Sequence, residues 1–320
     1  MCLALQSIAV FLLALFTSAA QAQAWPTKTI EITVPYPPGG SSDVLGRLIG
    51  VKLQDVLKQP IVVFNRPGAS TIIGTTHVAK APADGYQLLL VDNPFLVNAT
   101  VIPKLAYDPI KEFTPIAIIG TSPQLLFAPL PRSKTLAELI GAAKANPGAV
   151  SIGNASAGSL THLLGVILEN QAGVKFNHIP YKGSAPALQD AMGNQLDAAI
   201  SSSASGLVFV TGGKLRVLAV TSAKRFAALP DVPTFEELGY KNMIVDNWWG
   251  LVAPAGTPKA VIDRIRDETA KAVALPDVRE RYAGLGVNPL VSTPAEFQKL
   301  LEDEFRVWTK VAKDNNIKID

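Results

Sequence analysis

One cysteine, Cys2, occurs in the 320 residues, and it precedes the first apolar run instead of ending it as a lipoprotein cysteine would. Once that leading segment is removed, disulfides and thiolate chemistry are excluded. A chain of about 300 residues buries enough core to fold without such staples. Histidine is scarce too, at three. With no cysteine beside them, a structural zinc site is not expected. Runs of Lys or Arg are missing: 29 basic and 26 acidic side chains leave a formal charge of +3. So small and dispersed a charge argues against nucleic acid as a partner. No apolar stretch reaches the roughly 20 residues that a membrane span needs. Internal repeats and low-complexity tracts are absent as well.

What is present begins with an apolar run, Ile8 to Phe16, followed by small residues ending in Ala22-Gln23-Ala24 before Trp25. An apolar stretch of that length and an A-x-A site mark a secretory signal peptide. Residues 1–24 are therefore expected to be removed near Ala24. The segment before the run, Met1 to Gln6, has no Lys or Arg. A displaced start codon accounts for that, and an uncleaved anchor is the alternative.

The remaining length suits two domains. Apolar, β-branched runs recur as candidate parallel strands: Ile30–Val34, Ile61–Phe64, Gln87–Val91, Ile116–Ile119, Leu125–Ala128, Val150–Gly153, Ala198–Ser201, Leu215–Val220 and Gly250–Ala253. Helical stripes lie between many of them. One contains Val44, Leu45, Leu48, Val51 and Val56; a second contains Leu136, Leu139, Ile140 and Ala143; a third contains Leu160, Leu163, Leu164, Ile167 and Leu168. Strand–helix alternation predicts an α/β fold with buried parallel sheets. Thr257-Pro258 reads as a cap followed by a first-turn proline, opening a helix expected from Lys259 to Ala274 that ends at Leu275-Pro276.

Two strand-to-helix turns stand out. The first is Pro35-Tyr36-Pro37-Pro38-Gly39-Gly40-Ser41-Ser42-Asp43, and the second is Gly153-Asn154-Ala155-Ser156-Ala157-Gly158-Ser159. A glycine loop opening a helix leaves backbone N–H groups unpaired, and the helix dipole adds partial positive charge there. Such a place holds an anion without Lys or Arg. Two of them suggest jaws closing on one small anionic ligand.

These motifs, in this order and spacing, resemble the extracytoplasmic solute receptors of tripartite tricarboxylate transporters, the Bug/TctC family. The resemblance runs from Trp25-Pro26-Thr27-Lys28 through residues 34–47 (VPYPPGGSSDVLGR), Asn65-Arg66-Pro67-Gly68-Ala69 and Ala83-Asp84-Gly85-Tyr86. It continues with Tyr107-Asp108-Pro109, Tyr181-Lys182-Gly183 and Leu229-Pro230-Asp231-Val232-Pro233, and ends at Ala253-Pro254-Ala255-Gly256-Thr257-Pro258. It implies a type II periplasmic binding protein: two Rossmann-like α/β lobes joined by a two-strand hinge. Lobe 1 would hold residues 25–125 and 250–320, lobe 2 residues 126–249, with hinge strands near 124–129 and 247–253. The implied protein is a periplasmic monomer without catalysis or cofactor. It captures a small organic carboxylate and delivers it to membrane permease subunits. Two segments depart from the family pattern, Ser70-Thr71 after Pro-Gly-Ala and Ser202 to Gly206, so the ligand stays open among dicarboxylates, tricarboxylates, aromatic acids and nicotinate-like compounds. A sensor reporting to a membrane kinase is the alternative role.

The candidate ligand-binding residues are Gly39, Gly40, Ser41 and Ser42 in the first loop and Asn154, Ser156, Gly158, Ser159 and His162 around the second. Tyr36 and Trp248 are expected to flank the ligand's carbon skeleton, with Trp249 packing inward. Asn93 and Asn98 offer side-chain amides, and Ser201 and Ser202 offer hydroxyls. Each has a plainer role open to it: Ser41 or Ser42 can cap the helix, and the asparagines can serve turn chemistry. Asp43, beside an anion site, would repel the ligand unless it faces away; it is expected to have a first-turn structural role, stabilised by the helix dipole, or a water-mediated contact. Ser159 and His162 invite a serine hydrolase reading, but one helix does not supply a third, orienting group, and the turn is not a G-x-S-x-G elbow. No metal site is expected.

Overall fold

The computed structural model describes residues 25–314. The expected signal peptide lies outside the described residues. The chain opens with β1 (Ile30–Val34), α1 (Ser41–Leu57), β2 (Ile61–Asn65), α2 (Ile72–Ala79), β3 (Gln87–Asp92) and α3 (Pro94–Val101). Then come β4 (Phe113–Pro129), α4 (Leu136–Ala145), β5 (Ser151–Asn154), α5 (Leu160–Ala172), β6 (Asn177–Pro180), α6 (Ser184–Met192), β7 (Ala198–Ser202), α7 (Ser203–Thr211) and β8 (Leu215–Val220). The chain closes with β9 (Asp246–Pro254), α8 (Lys259–Ala274), α9 (Pro276–Leu285), β10 (Asn288–Pro289) and α10 (Pro294–Asp314).

The strands run in the order β2-β1-β3-β9-β4-β7-β5-β6, with β8 and β10 attached to β4. The expectation of parallel strands holds only in part. Pairs β1–β2, β1–β3, β5–β6 and β5–β7 are parallel, as strand–helix–strand crossovers require. The two central strands break the pattern. β9 runs antiparallel to both β3 and β4, and β4 runs antiparallel to β7 and β8. The runs Ile116–Ile119 and Leu125–Ala128, which looked like two strands, are the ends of one 17-residue strand, β4. It pairs with β9 as far as Pro123↔Asp246 and with β7 from Gln124↔Ser202 onward. Strand β4 thus belongs to both halves of the molecule.

Helix α1 buries Leu45, Ile49, Leu53 and Leu57 against β1, an i,i+4 row on one face. Val51 and Val56, placed on that stripe from the sequence, are exposed instead, because neither falls on the buried row. The stripe of α4 is buried as expected. Helix α8 spans Lys259–Ala274 as expected, with Pro258 rather than Thr257 as its cap. The first half holds a core of Ile30, Ile32, Leu88, Ile116, Trp249 and Leu251. In the second half, Ile152, Leu163, Leu164 and Ile200 belong to a cluster that also takes in Val97 and Val101 of α3 and Trp308 and Ala312 of α10. The C-terminal helix therefore packs on both halves, through Phe297 and Leu301 at one end and Trp308 at the other.

Candidate functional site

A cavity of about 280 Å³ lies between the two halves, past the carboxyl ends of β1, β3 and β7, where open α/β sheets bind ligands. The β1–α1 loop brings Tyr36, Pro37, Gly40, Ser41 and Ser42, and β3 ends on it at Asp92. From the other half come Ala155, Ser159, Leu160 and Thr161, then Lys182, Gly183, Ser184 and Ala185 at the start of α6. Gln124 of β4, Asn247 of β9 and Ser202 of β7 line the wall near the central strands. A neighbouring hollow of about 450 Å³ shares Tyr36, Pro37, Ala155, Lys182 and Gly183 with it, and Ser156 lines that one.

Three helices, α1, α5 and α6, thus point their N-termini into one cavity. Among the described residues, the N–H groups of Ser41, Ser42, Leu160, Thr161, Ser184 and Ala185 have no acceptor. Each N-terminus carries about half a unit of positive charge. Lys182 is exposed and makes no ion pair among the described residues. The cavity therefore presents mainly neutral donors to an anion, which avoids the cost of desolvating a buried cation.

Helix α1 is capped by the Gly40 backbone, with no side-chain cap. The hydroxyl of Ser42 is consequently free for other work. The Trp249 indole N–H donates to Ser42 Oγ at 3.1 Å, Ser42 Oγ donates to Asp92 Oδ2 at 3.2 Å, and the Tyr36 hydroxyl donates to Asp92 Oδ1 at 2.8 Å. Burial pushes the Asp92 carboxyl up to about 7, against the pull of those two hydrogen bonds. Asp43 turns away from the cavity. It accepts from Gly39 N, Asn65 Nδ2 and Arg47, so the loop is tied to β2. Burial alone would raise its pKa, but these three partners hold it below the usual carboxylate range.

On the facing side, Ser159 caps α5. Its Oγ accepts from His162 N and Ser156 N at 3.3 Å each, donates to Ser156 O at 2.7 Å and lies 2.9 Å from Thr161 Oγ1. The His162 ring does not reach Ser159 Oγ. Its Nδ1 accepts from Gly158 N at 3.0 Å, and the ring meets His178 edge-on. Burial, then His178, lowers its pKa to about 4. A nucleophile–base pair is therefore not assembled here.

The family model described as "Tripartite tricarboxylate transporter family receptor" matches residues 45–317. The chain belongs to this family. Protein BugT of Bordetella pertussis (strain Tohama I) is 36% identical over 301 residues, which is 93% of this chain and 92% of BugT. Two solved structures are similar throughout. The periplasmic binding protein BugD is 33% identical with a TM-score of 0.87, over 92% of this chain and 99% of BugD. The Rhodopseudomonas palustris protein Rpa4515, solved with adipate, is 32% identical with a TM-score of 0.88, again over 92% and 99% of the two chains. A mixed α/β fold with a central sheet, of the periplasmic binding protein type, is thereby established.

Of the residues singled out from the sequence, Tyr36, Gly40, Ser41, Ser42, Ser159 and Ser202 line the central cavity, and Ser156 lines its neighbour. The others do not reach it. Trp248 is buried against Phe297, and its indole donates to Glu304 Oε2 at 2.9 Å. Asn93 is buried beside it, between Trp248 N, Asp246 O and Glu304. Asn98 holds Ser70 O and Thr71 Oγ1, which fixes a loop of positive-φ residues, Ala69 to Thr71. Asn154 is wholly buried at the end of β5, where its amide returns to Ile152 O. Ser201 is wholly buried in β7, and Gly158 spends its N–H on His162. Gly39, at φ +92°, shapes the loop and gives its N–H to Asp43. The N–H donors opening α6 and the polar wall of Asp92, Gln124 and Asn247 were not singled out as ligand contacts from the sequence, where Tyr181-Lys182-Gly183 figured only as a motif of the resemblance. The signal for α6 was available in Tyr181-Lys182-Gly183, since glycine before a helical stripe marked the other two loops.

Proposed function

We propose that this chain is a periplasmic solute receptor that captures a small organic carboxylate between its lobes and presents it to the membrane permease of a tripartite transporter. One observation carries the reading: three helix N-termini with unpaired N–H groups converge on a single cavity between the halves. Adipate bound to Rpa4515 supports a carboxylate as the ligand class. Family membership supports delivery to a permease. Closure would take place about β4, the strand common to both halves, and the entry into β9 beside it. The separation of Ser159 Oγ from the His162 ring supports capture without turnover. Export by residues 1–24 belongs to the same reading.

The test is calorimetric titration of the mature protein with two- to eight-carbon carboxylates, beside mass spectrometry of acid released on denaturation. One ligand per chain is expected, with a dissociation constant on the order of 1 μM or tighter, equivalent to about −8.2 kcal/mol. Ester hydrolysis by the same sample is expected to be nil. No bound acid and no titratable carboxylate would overturn the proposal.

A further inference from the structure

The cavity wall is not uniform. Donors come from the helix N-termini, whereas the wall beside the central strands offers acceptors. Two hydrogen-bond chains establish that polarity. The Trp249 indole can only donate, so Ser42 Oγ accepts from it and passes its own proton to Asp92. The Tyr36 hydroxyl donates to the other carboxylate oxygen. Asp92 is thereby held as an acceptor with lone pairs to spare, and it has no cation partner among the described residues. On the same wall, Asn247 Nδ2 donates to Trp248 O, which turns its Oδ1 toward Gln124 Nε2 at 3.2 Å. That orientation leaves Gln124 Oε1 buried and without a donor among the described residues. A buried acceptor lacking a donor is destabilising, and a buried charge lacking a partner is more so. Both costs fall if the ligand brings donors to this wall.

Resting on the carboxylate-capture reading, we propose that Asp92 and Gln124 form an acceptor pole, and that the captured carboxylate carries a protonated amine which this pole recognises. The charged and titratable groups that line the cavity are Asp92, Tyr36 and Lys182; Asp43 is turned to Arg47 and Asn65. An ammonium group restores to Asp92 the countercharge that it lacks. A second carboxylate there would repel it, or would require Asp92 to take up a proton. The two ligand classes therefore differ in proton linkage. With Asp92 raised by burial to about 7, an amine displaces a proton on binding near neutral pH, whereas a second carboxylate draws one in.

The experiment compares unsubstituted acids, ω-amino acids and dicarboxylates of two to six carbons by calorimetry. Titrations at pH 7 use two buffers of different ionisation enthalpy, and affinities are ranked at pH 8. At the best chain length, the amino member is expected to bind at least tenfold tighter than the unsubstituted acid, with net proton release. Asp92→Asn is expected to cut that ratio at least tenfold and to abolish the proton release. Gln124→Met serves as the second variant, with its fold checked by circular dichroism, and is expected to lower the ratio about threefold or more. Proton uptake, a dicarboxylate or hydroxy acid preferred at every length, or a ratio unmoved in both variants would overturn the acceptor pole while leaving carboxylate capture intact. Failure of every acid to bind would overturn both.

Discussion

Asp92 and Ser159 show how far a residue's role depends on what lies behind it. The Asp92 carboxyl, near 3.9 in an unfolded chain, is pushed up to about 7 in the fold by burial. The folded state therefore holds the proton more tightly than the unfolded one. The stability linked to that proton is complete below the unfolded value and is lost as pH rises through 7. Asp92→Asn cannot ionise, so it gains on the parent as pH rises. The difference is expected to be small at pH 4.5 and on the order of 2–4 kcal/mol by pH 8, from the size of the shift. Urea midpoints of both ligand-free proteins at pH 4.5, 6 and 8 read it directly, and titrations common to both cancel. A difference that is flat with pH would contradict the burial of this carboxyl. For Ser159, whose hydroxyl is spent on capping α5 and bonding Ser156, Ser159→Ala is expected to cost about 1 kcal/mol of stability. Thermal unfolding of the ligand-free protein would show it; a loss of affinity with no loss of stability would instead make the hydroxyl a direct ligand contact. Such roles were hidden at residue level because amide, hydroxyl and indole side chains serve core and cleft alike. Trp248 turns to Glu304, 56 positions away, and no local pattern announces that.

At the scale of an element, the strand–glycine–helix pattern was legible because its cause is local. Backbone N–H groups at a helix start stay unpaired whatever the rest of the chain does. The loop before α1 and the turn before α5 were found on that ground. Tyr181-Lys182-Gly183 was not recognised as a third donor loop because β6, with exposed or half-buried residues throughout, has no apolar run to mark it as a strand. Parallel pairing failed for β4 and β9 because an apolar run signals burial and not direction. Gly40 lends itself to a test of the loop. Its φ is −79°, which any residue adopts, and a Cβ there would meet nothing within 4 Å. Gly40→Val is therefore expected to fold normally, with a melting temperature within about 2 °C of the parent, the shift that goes with about 0.5 kcal/mol. Its side chain would enter the space beside the α1 N–H groups and reduce carboxylate affinity at least a hundredfold. Lys182→Gln, by comparison, is expected to lower affinity less than about tenfold, or roughly 1.4 kcal/mol. Calorimetry on the two variants decides between backbone donors and a salt bridge as the source of affinity; the reverse ranking would assign it to Lys182.

Across the whole molecule, the two halves meet where the first loop faces the start of α6. A Cβ built on Gly183 would stand 3.7 Å from Pro37 Cδ and 3.9 Å from Tyr36 Cδ1. Those are ordinary contacts, so alanine fits between the lobes and anything longer does not. Gly183 also sits at φ +117°, a conformation that costs an L-residue about 1–3 kcal/mol. Alanine and leucine share that backbone cost, and their difference isolates the wedge. If capture requires the lobes to close about β4 and β9, Gly183→Leu should hold them apart while Gly183→Ala should not. With saturating ligand, small-angle scattering is expected to show a smaller radius of gyration for the parent and for Gly183→Ala, but no change for Gly183→Leu. Affinity is expected to fall at least tenfold further in the leucine variant than in the alanine one. Equal affinities and equal contraction would mean that the lobes do not need to meet at Gly183, and that closure through the central strands is not how the ligand is held.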